Sequence, residues 1–230
     1  MLTGRRLILG VTGGIAAYKA VEVCRRFVDA GAHVAPVLTE GATRFVGPLT
    51  FSALASQPAQ TEIFAGADPI PHTTLGQSAD LVVVAPATAR LIGSYAAGIS
   101  DDLLTATLLA TRAPVLICPA MHTEMWEHAA VQENLDTLRR RGVHVLPPED
   151  GRLAGGDVGA GRLAARVSFV ADAARILGAA SSSLAGTKVV DTAGGTREPI
   201  VPVRFIGNRS SRQLGHALAE EAASRDAQVT

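Results

Sequence analysis

"RRLILGVTGGIAAYK", residues 5–19, runs from an aliphatic stretch through a pair of glycines into a pattern with helical spacing. Strand, tight turn and helix start form the unit from which parallel α/β sheets are built, and such turns commonly hold a phosphate. Spacing argues against two familiar phosphate motifs. The dinucleotide fingerprint G-x-G-x-x-G fails because Thr12 occupies the second glycine position, the glycines being Gly10, Gly13 and Gly14. The nucleotide-triphosphate loop fails because Lys19 lies between Tyr18 and Ala20, with no hydroxyl placed for magnesium. Two readings remain: an anion site, since adjacent glycines let the backbone approach a ligand at a helix start, or a plain strand-to-helix turn.

Outward from this turn the same alternation continues. "HVAPVL" precedes a helical pattern over 40–55, "DLVVVA" one over 87–98, "PVLIC" one over 129–141, and "VHVL" ends the series. Continuous apolar strands separated by helices predict a mostly parallel sheet covered on both faces. In the first helix, over 15–30, Ile15, Val21, Phe27 and Val28 with the intervening alanines form an apolar stripe, while Glu22, Arg25 and Arg26 face away. Ligands of such sheets gather at the carboxyl ends of the strands. That rule puts Gly13-Gly14, Thr39, "APATA" (85–89) and "CPAMHTEMW" (118–126) on one edge. A loop, "PIPHTT", adds His72, and the glycine-rich "GGDVGAGRLA" (155–164) reads as a flexible loop or a hinged lid.

The 230 residues are 47% hydrophobic and carry 21 basic against 21 acidic side chains, so the chain has a core to bury and no field that would draw nucleic acid. Cys24 and Cys118 fit no metal or redox spacing and read as buried thiols in a reducing compartment. No leader pattern and no run of 18 apolar residues is visible, which leads us to expect a soluble, cytoplasmic protein. At "GAASSSLAG" (178–186) the composition turns to small residues, and beyond it a strand, a glycine turn and a helix begin again. We therefore expect a first domain over 1–178, a linker over 179–186 and an incomplete second α/β domain over 187–230, since about 45 residues cannot close one.

Taken in order, "GGIAAYK", Thr39-Glu40, His72, "ADLVVVAPATA", "DDLLT", "PAMHTEMW" and "GDVGAGRLA" closely resemble the homo-oligomeric flavin-containing cysteine decarboxylases, over residues 5 to about 178. Within that family the stretch is similar to the decarboxylase half of the bifunctional phosphopantothenoylcysteine decarboxylase/phosphopantothenate–cysteine ligases. The tail "TAGGTREPIVPVRFIGNRSS" is similar to the opening of the ligase half. The resemblance implies a flavodoxin-like or Rossmann-like doubly wound sheet, FMN as cofactor, and a homotrimer or multiple of trimers with the flavin at a contact between subunits. For FMN it implies Gly13, Gly14, Ile15, Thr39, Pro86, Thr88 and Ala89. It also implies a small-molecule substrate, 4′-phospho-N-pantothenoylcysteine, made into 4′-phosphopantetheine on the route to coenzyme A. Oxidation of the cysteine side chain to a thioaldehyde creates the electron sink that lets carbon dioxide leave, and the electrons then return.

The resemblance assigns acid/base or orienting work to His72, a role its ordinary pKa near 6.5 suits. His122 stands where the family usually has an asparagine that holds the substrate carboxylate, and a histidine can still donate that hydrogen bond. Met125 either covers the substrate or packs with Trp126. Gly161 and Arg162 belong to the lid, but Gly155 replaces a cysteine that assists the final reduction in the family. Asp101, of the pair Asp101-Asp102, reads either as a helix cap or as one of two paired acids. Asn208 corresponds to a ligase residue, Arg212 replaces a glycine there, and CTP and Mg2+ apply only to a complete ligase domain. A peptidyl-cysteine decarboxylase and a flavin-binding regulatory subunit are the competing readings.

Overall fold

The computed structural model describes residues 2–64, 68–156, 158–164, 166–179, 184, 186–195, 197–201, 204–207, 213–225 and 227–230. It divides into two units, Met1–Ala174 and Arg175–Thr230.

In the first unit, β1 (Arg6–Val11) leads into α1 (Ala17–Asp29) and β2 (His33–Leu38) into two short helices, α2 (Glu40–Thr43) and α3 (Pro48–Leu54). Then follow α4 (Pro71–Ser78), β3 (Leu81–Ala87), α5 (Ala89–Ala97), α6 (Leu103–Ala110), β4 (Val115–Pro119), α7 (Thr123–Glu127), α8 (Ala129–Arg140) and β5 (His144–Val145). A hairpin of β6 (Glu149–Arg152) and β7 (Val158–Arg162) precedes α9 (Arg166–Ala179), which runs across the boundary between the units. Strands β1 to β5 form one parallel sheet in the order β2-β1-β3-β4-β5. That is the flavodoxin-like order, with the chain reversing direction between β1 and β3. All but the first residues of β1 and β2, and every residue of β3 and β4, are buried, which is why these strands are continuously apolar.

Four expectations need correction. The single helix over 40–55 is two, because Gly47 is extended and Pro48 starts α3 where its missing N–H costs nothing. His72 lies in helix α4, not in a loop. Asp102 caps α6: its Oδ1 accepts from the Thr105 N–H at 2.8 Å while the Thr105 hydroxyl accepts from the Asp102 N–H at 3.1 Å. Asp101 instead pairs with Arg90. On α1 the buried face is Ala17, Ala20, Val23, Cys24 and Phe27, whereas Ile15 precedes the helix and is exposed. Small residues set the phase of this helix, letting it lie close to the sheet.

At the free edge of the sheet, Gln60 donates its N–H to the Pro36 carbonyl at 2.9 Å and accepts from the Leu38 N–H at 2.9 Å, lying alongside β2 as an isolated bridge.

The second unit holds β8 (Lys188–Val189), an antiparallel pair β9 (Arg197–Val201) and β10 (Arg204–Gly207), α10 (Gln213–Ser224) and β11 (Gln228–Val229), with β11 parallel to β8. A strand, a helical crossover and a parallel strand mark it as α/β in kind. Asn208 and Arg212 lie outside the described residues.

Candidate functional site

A cavity of about 960 Å³ opens at the carboxyl ends of β1 and β3, where the strand order reverses. Its volume is near the upper end for small-molecule sites, which run to about 1,000 Å³. Gly13, Gly14, Ile15, Thr39, Thr88, Ala89, His122, Met125, Gly161 and Arg162 all line it. The sequence order scatters these residues over about 150 positions; the parallel topology gathers those that follow β1 to β4 because successive strands end on one edge, and the β6–β7 hairpin adds Gly161 and Arg162.

Thr12, which breaks the dinucleotide spacing, ties the floor together. It is 2% exposed; its hydroxyl donates to the Pro86 carbonyl at 2.7 Å and accepts from the Thr88 N–H at 3.1 Å. Both ends of the switch point are thereby fixed by one side chain. Pro86 itself is buried and absent from the cavity wall, so its role is to accept this bond from behind. Gly13 and Gly41 approach so closely that a Cβ on Gly13 would lie 2.7 Å from the Gly41 carbonyl carbon. The β1–α1 turn and the start of α2, capped by Thr39 Oγ1 on the Ala42 N–H, meet backbone to backbone.

The opposite wall is built by α7 and the β6–β7 hairpin. Met121 donates its N–H to the Gly161 carbonyl at 3.0 Å. Gly161 has φ +143°, and a Cβ there would fall 2.1 Å from the Met121 carbonyl oxygen, so only glycine fits. A Cβ on Gly159 would fall 2.5 Å from the Thr123 hydroxyl oxygen. Within the segment read as a loop or lid, Val158–Arg162 is the second strand of an antiparallel hairpin bonded to the "AMHT" stretch, and Arg162 is held by Glu149 at 2.9 Å. Gly155 lies exposed between the strands, outside the wall.

Sequence reasoning missed several wall residues, among them Arg44, Arg90 and Arg152, while Lys19 and Asp101, noted in the sequence without a place in the site, also line it. Arg90 directly follows the recognised "APATA" turn, and that adjacency was the available signal. Its guanidinium, 2.9 Å from Asp101, holds the Asp101 carboxyl below the usual carboxylate range. His122 Nδ1 lies 2.9 Å from Glu124 Oε2. Glu124 is held below its ordinary value first by its own backbone N–H and then by His122.

His72 is not part of this wall. Its Nδ1 is buried and has no hydrogen-bond partner among the described residues. Cys24 and Cys118 are buried away from the cavity, burial pushing Cys24 up to about 11 and Cys118 well above the ordinary thiol value. Among the described residues no group of three or more His, Cys, Asp or Glu side chains could hold a metal ion, and no helix is long and apolar enough to cross a membrane.

Fold and site together define a doubly wound α/β protein with a ligand cavity at its switch point. Residues 1–177 match the family described as Flavoprotein, and residues 184–230 match the DNA/pantothenate metabolism flavoprotein C-terminal domain. The chain belongs to the flavoprotein family. It is 56% identical over 229 residues to the coenzyme A biosynthesis bifunctional protein CoaBC of Mycobacterium tuberculosis, covering 98% of this chain and 55% of that protein. The Bacillus subtilis protein of the same name is 47% identical over 232 residues, covering 100% of this chain and 57% of that protein. The chain thus spans a little over half the length of these relatives. Among solved structures, a PPC decarboxylase variant complexed with pantothenoylaminoethenethiol is 30% identical with a TM-score of 0.67, covering 74% of this chain and 96% of that one. The FMN binding protein AtHal3 is 30% identical with a TM-score of 0.64, covering 74% and 94%.

Proposed function

We propose that this chain decarboxylates 4′-phospho-N-pantothenoylcysteine to 4′-phosphopantetheine with FMN as cofactor, in the cytoplasm. The observation that carries the reading is the gathering of Gly13, Thr39, Thr88, His122 and Arg162 around one cavity at the switch point. The cradle suits FMN. Two backbone turns meet at Gly13 and Gly41 with no side chain between them, which suits close approach of an anion, and the volume accommodates a flavin and a second small molecule. Gly13, Gly14, Ile15, Thr39, Thr88 and Ala89 would hold it. When bound, FMN supplies the reversible two-electron oxidation of the cysteine side chain.

The protein's share is binding and proton movement. His122 receives the α-carboxylate, while Met125 and the hairpin residues Gly161 and Arg162 cover the substrate and exclude water. Over the whole reaction the bond from Cα to the carboxylate breaks, carbon dioxide leaves and a proton takes its place. His72 is assigned to proton transfer. Because it lies outside its own chain's cavity, it serves the cavity of a neighbouring copy, in a homotrimer or multiple of trimers. Exposed Ile15, Tyr18, Phe45 and Met125 around the opening are the apolar surface such a contact would cover. The second unit is a fragment of a ligase domain, inactive by itself, and CTP and Mg2+ would act only in a complete one.

Mass spectrometry after anaerobic incubation with FMN and the substrate tests this. Loss of carbon dioxide with all hydrogens restored is the expected result. A product lacking two further hydrogens would mean that Gly155 cannot replace a reducing thiol. Unchanged substrate, or turnover only of a peptide ending in cysteine, would overturn the assignment.

A further inference from the structure

We propose that Arg152 anchors the phosphate of the substrate, and that this contact is how the site prefers a phosphorylated pantothenoyl chain to a peptide ending in cysteine. The inference rests on the substrate assigned above and names the partner of its second charged end. That substrate is anionic at both ends, with the carboxylate at His122 and a phosphate ester of about −1.5 to −2 charge at the far end. A group so charged leaves water favourably only for a cation that also gives it hydrogen bonds.

The cavity wall contains four arginines, Arg44, Arg90, Arg152 and Arg162. Three face carboxylates: Arg44 lies 3.5 Å from Glu40, Arg90 2.9 Å from Asp101 and Arg162 2.9 Å from Glu149. Arg152 makes no side-chain hydrogen bond or ion pair among the described residues. Its guanidinium can therefore grip a phosphate through two parallel N–H groups without leaving a carboxylate first. Arg152 is exposed and is the last residue of β6, where its backbone is paired with Val158 of β7.

Distance along the hairpin agrees. Glu149 and Arg162 pair at one end, beside Gly161 and the bond that joins it to Met121, the neighbour of His122. Arg152 stands three residues farther along β6, which is about 10 Å at the usual rise of a strand. From the cysteine Cα to phosphorus the substrate has about 11 bonds, roughly 14 Å when extended. An arginine side chain spans the difference. The anion of FMN is assigned to the opposite wall, where the Gly13 and Gly41 turns meet and Lys19 lies in the first turn of α1.

The test uses the FMN-loaded protein and two unreactive ligands without a thiol, 4′-phosphopantothenoyl-alanine and pantothenoyl-alanine, which differ only in the phosphate. Calorimetry gives the Kd of each, and the ratio of the two measures the preference for the phosphate. Wild type should prefer the phosphorylated ligand, and Arg152→Ala should lower that preference about 10- to 100-fold. Arg152→Lys, which keeps the charge but not the planar fork, should fall between them. Arg44→Ala removes a cation of the same wall and should change the preference by less than about twofold, since that side chain is exposed and already paired. Equal binding of both ligands by wild type, an unchanged preference in Arg152→Ala, or an equal loss in Arg44→Ala would overturn the role of Arg152 and leave the substrate assignment standing. If wild type binds neither ligand, the substrate assignment itself fails, and this role with it.

Discussion

Gly13 and Gly14 are neighbours in sequence with opposite tolerances, and the contrast tests how the cofactor cradle is built. A methyl group on Gly13 would lie 2.7 Å from the Gly41 carbonyl carbon, 2.8 Å from its Cα and 3.0 Å from its oxygen. All three are backbone atoms, so no side chain can rotate away. Restoring ordinary contact needs the two turns to part by about 0.7 Å, an overpacking that costs about 1–3 kcal/mol. On Gly14 the nearest atom to the same methyl group would be Thr88 Cγ2 at 3.5 Å, an ordinary contact. Gly13→Ala should therefore lower the Tm of the FMN-free protein by about 2–12 °C. It should also weaken FMN by at least about tenfold, because the two turns that line the cradle are displaced from one another. Gly14→Ala should keep its Tm within about 1 °C of wild type. Thermal unfolding and titration of flavin fluorescence quenching read the two effects separately. Equal losses in the two variants, or an unchanged Gly13→Ala, would show that the turns do not touch as described.

Thr12→Val removes both bonds that join the ends of β1 and β3 and leaves two buried backbone groups unpaired, so chemical denaturation should show a loss of about 1–3 kcal/mol. Asp102→Ala should cost about 1 kcal/mol by removing the α6 cap, while Asp101→Asn, which removes the charge of an exposed pair with Arg90 and leaves an acceptor for the Thr105 hydroxyl, should cost less than about 1 kcal/mol. Because the folded-state pKa of Asp101 is lowered, its contribution is present above the unfolded value near 3.9 and lost as pH falls through the folded one. The gap between wild type and Asp101→Asn should close below that window in thermal scans. Gly161→Ala should free the hairpin from Met121, seen as faster proteolysis within 152–160 and a raised substrate KM. Mixed oligomers of His72→Asn with His122→Ala should recover activity that neither variant has alone, as measured by carbon dioxide release; no recovery would place both residues in one chain's site.

The sheet was legible because its strands are buried on both faces and read as unbroken aliphatic runs. The ligand edge followed from topology, since parallel strands must end together. Helix α4 was not legible: "PHTTLGQS" is short, and besides Pro71 it buries only Leu75 and Gly76. Nor was the β6–β7 hairpin, whose residues "EDGR" and "VGAGR" show no alternation of apolar and polar side chains. Backbone pairing and glycine-mediated packing hold that hairpin, and neither leaves a hydrophobic signature. The glycines at 159 and 161 were the readable trace, taken as freedom where the structure uses them for close approach. Thr12 was seen only as a missing glycine, because a hydroxyl bonded to Pro86 and Thr88, 74 and 76 residues away, has no local pattern.

The outer strand β2 also bears on assembly. Pro36 has no N–H to offer another strand, and Gln60 already occupies the carbonyl of Pro36 and the N–H of Leu38. At the far side of the sheet, β5 is only two residues long. Copies of this chain are thereby discouraged from joining strand to strand, which is also the route to runaway aggregation. A contact between two such sheets would then run through side chains, and Ile15, Tyr18, Phe45 and Met125 at the cavity rim are exposed apolar side chains open to one.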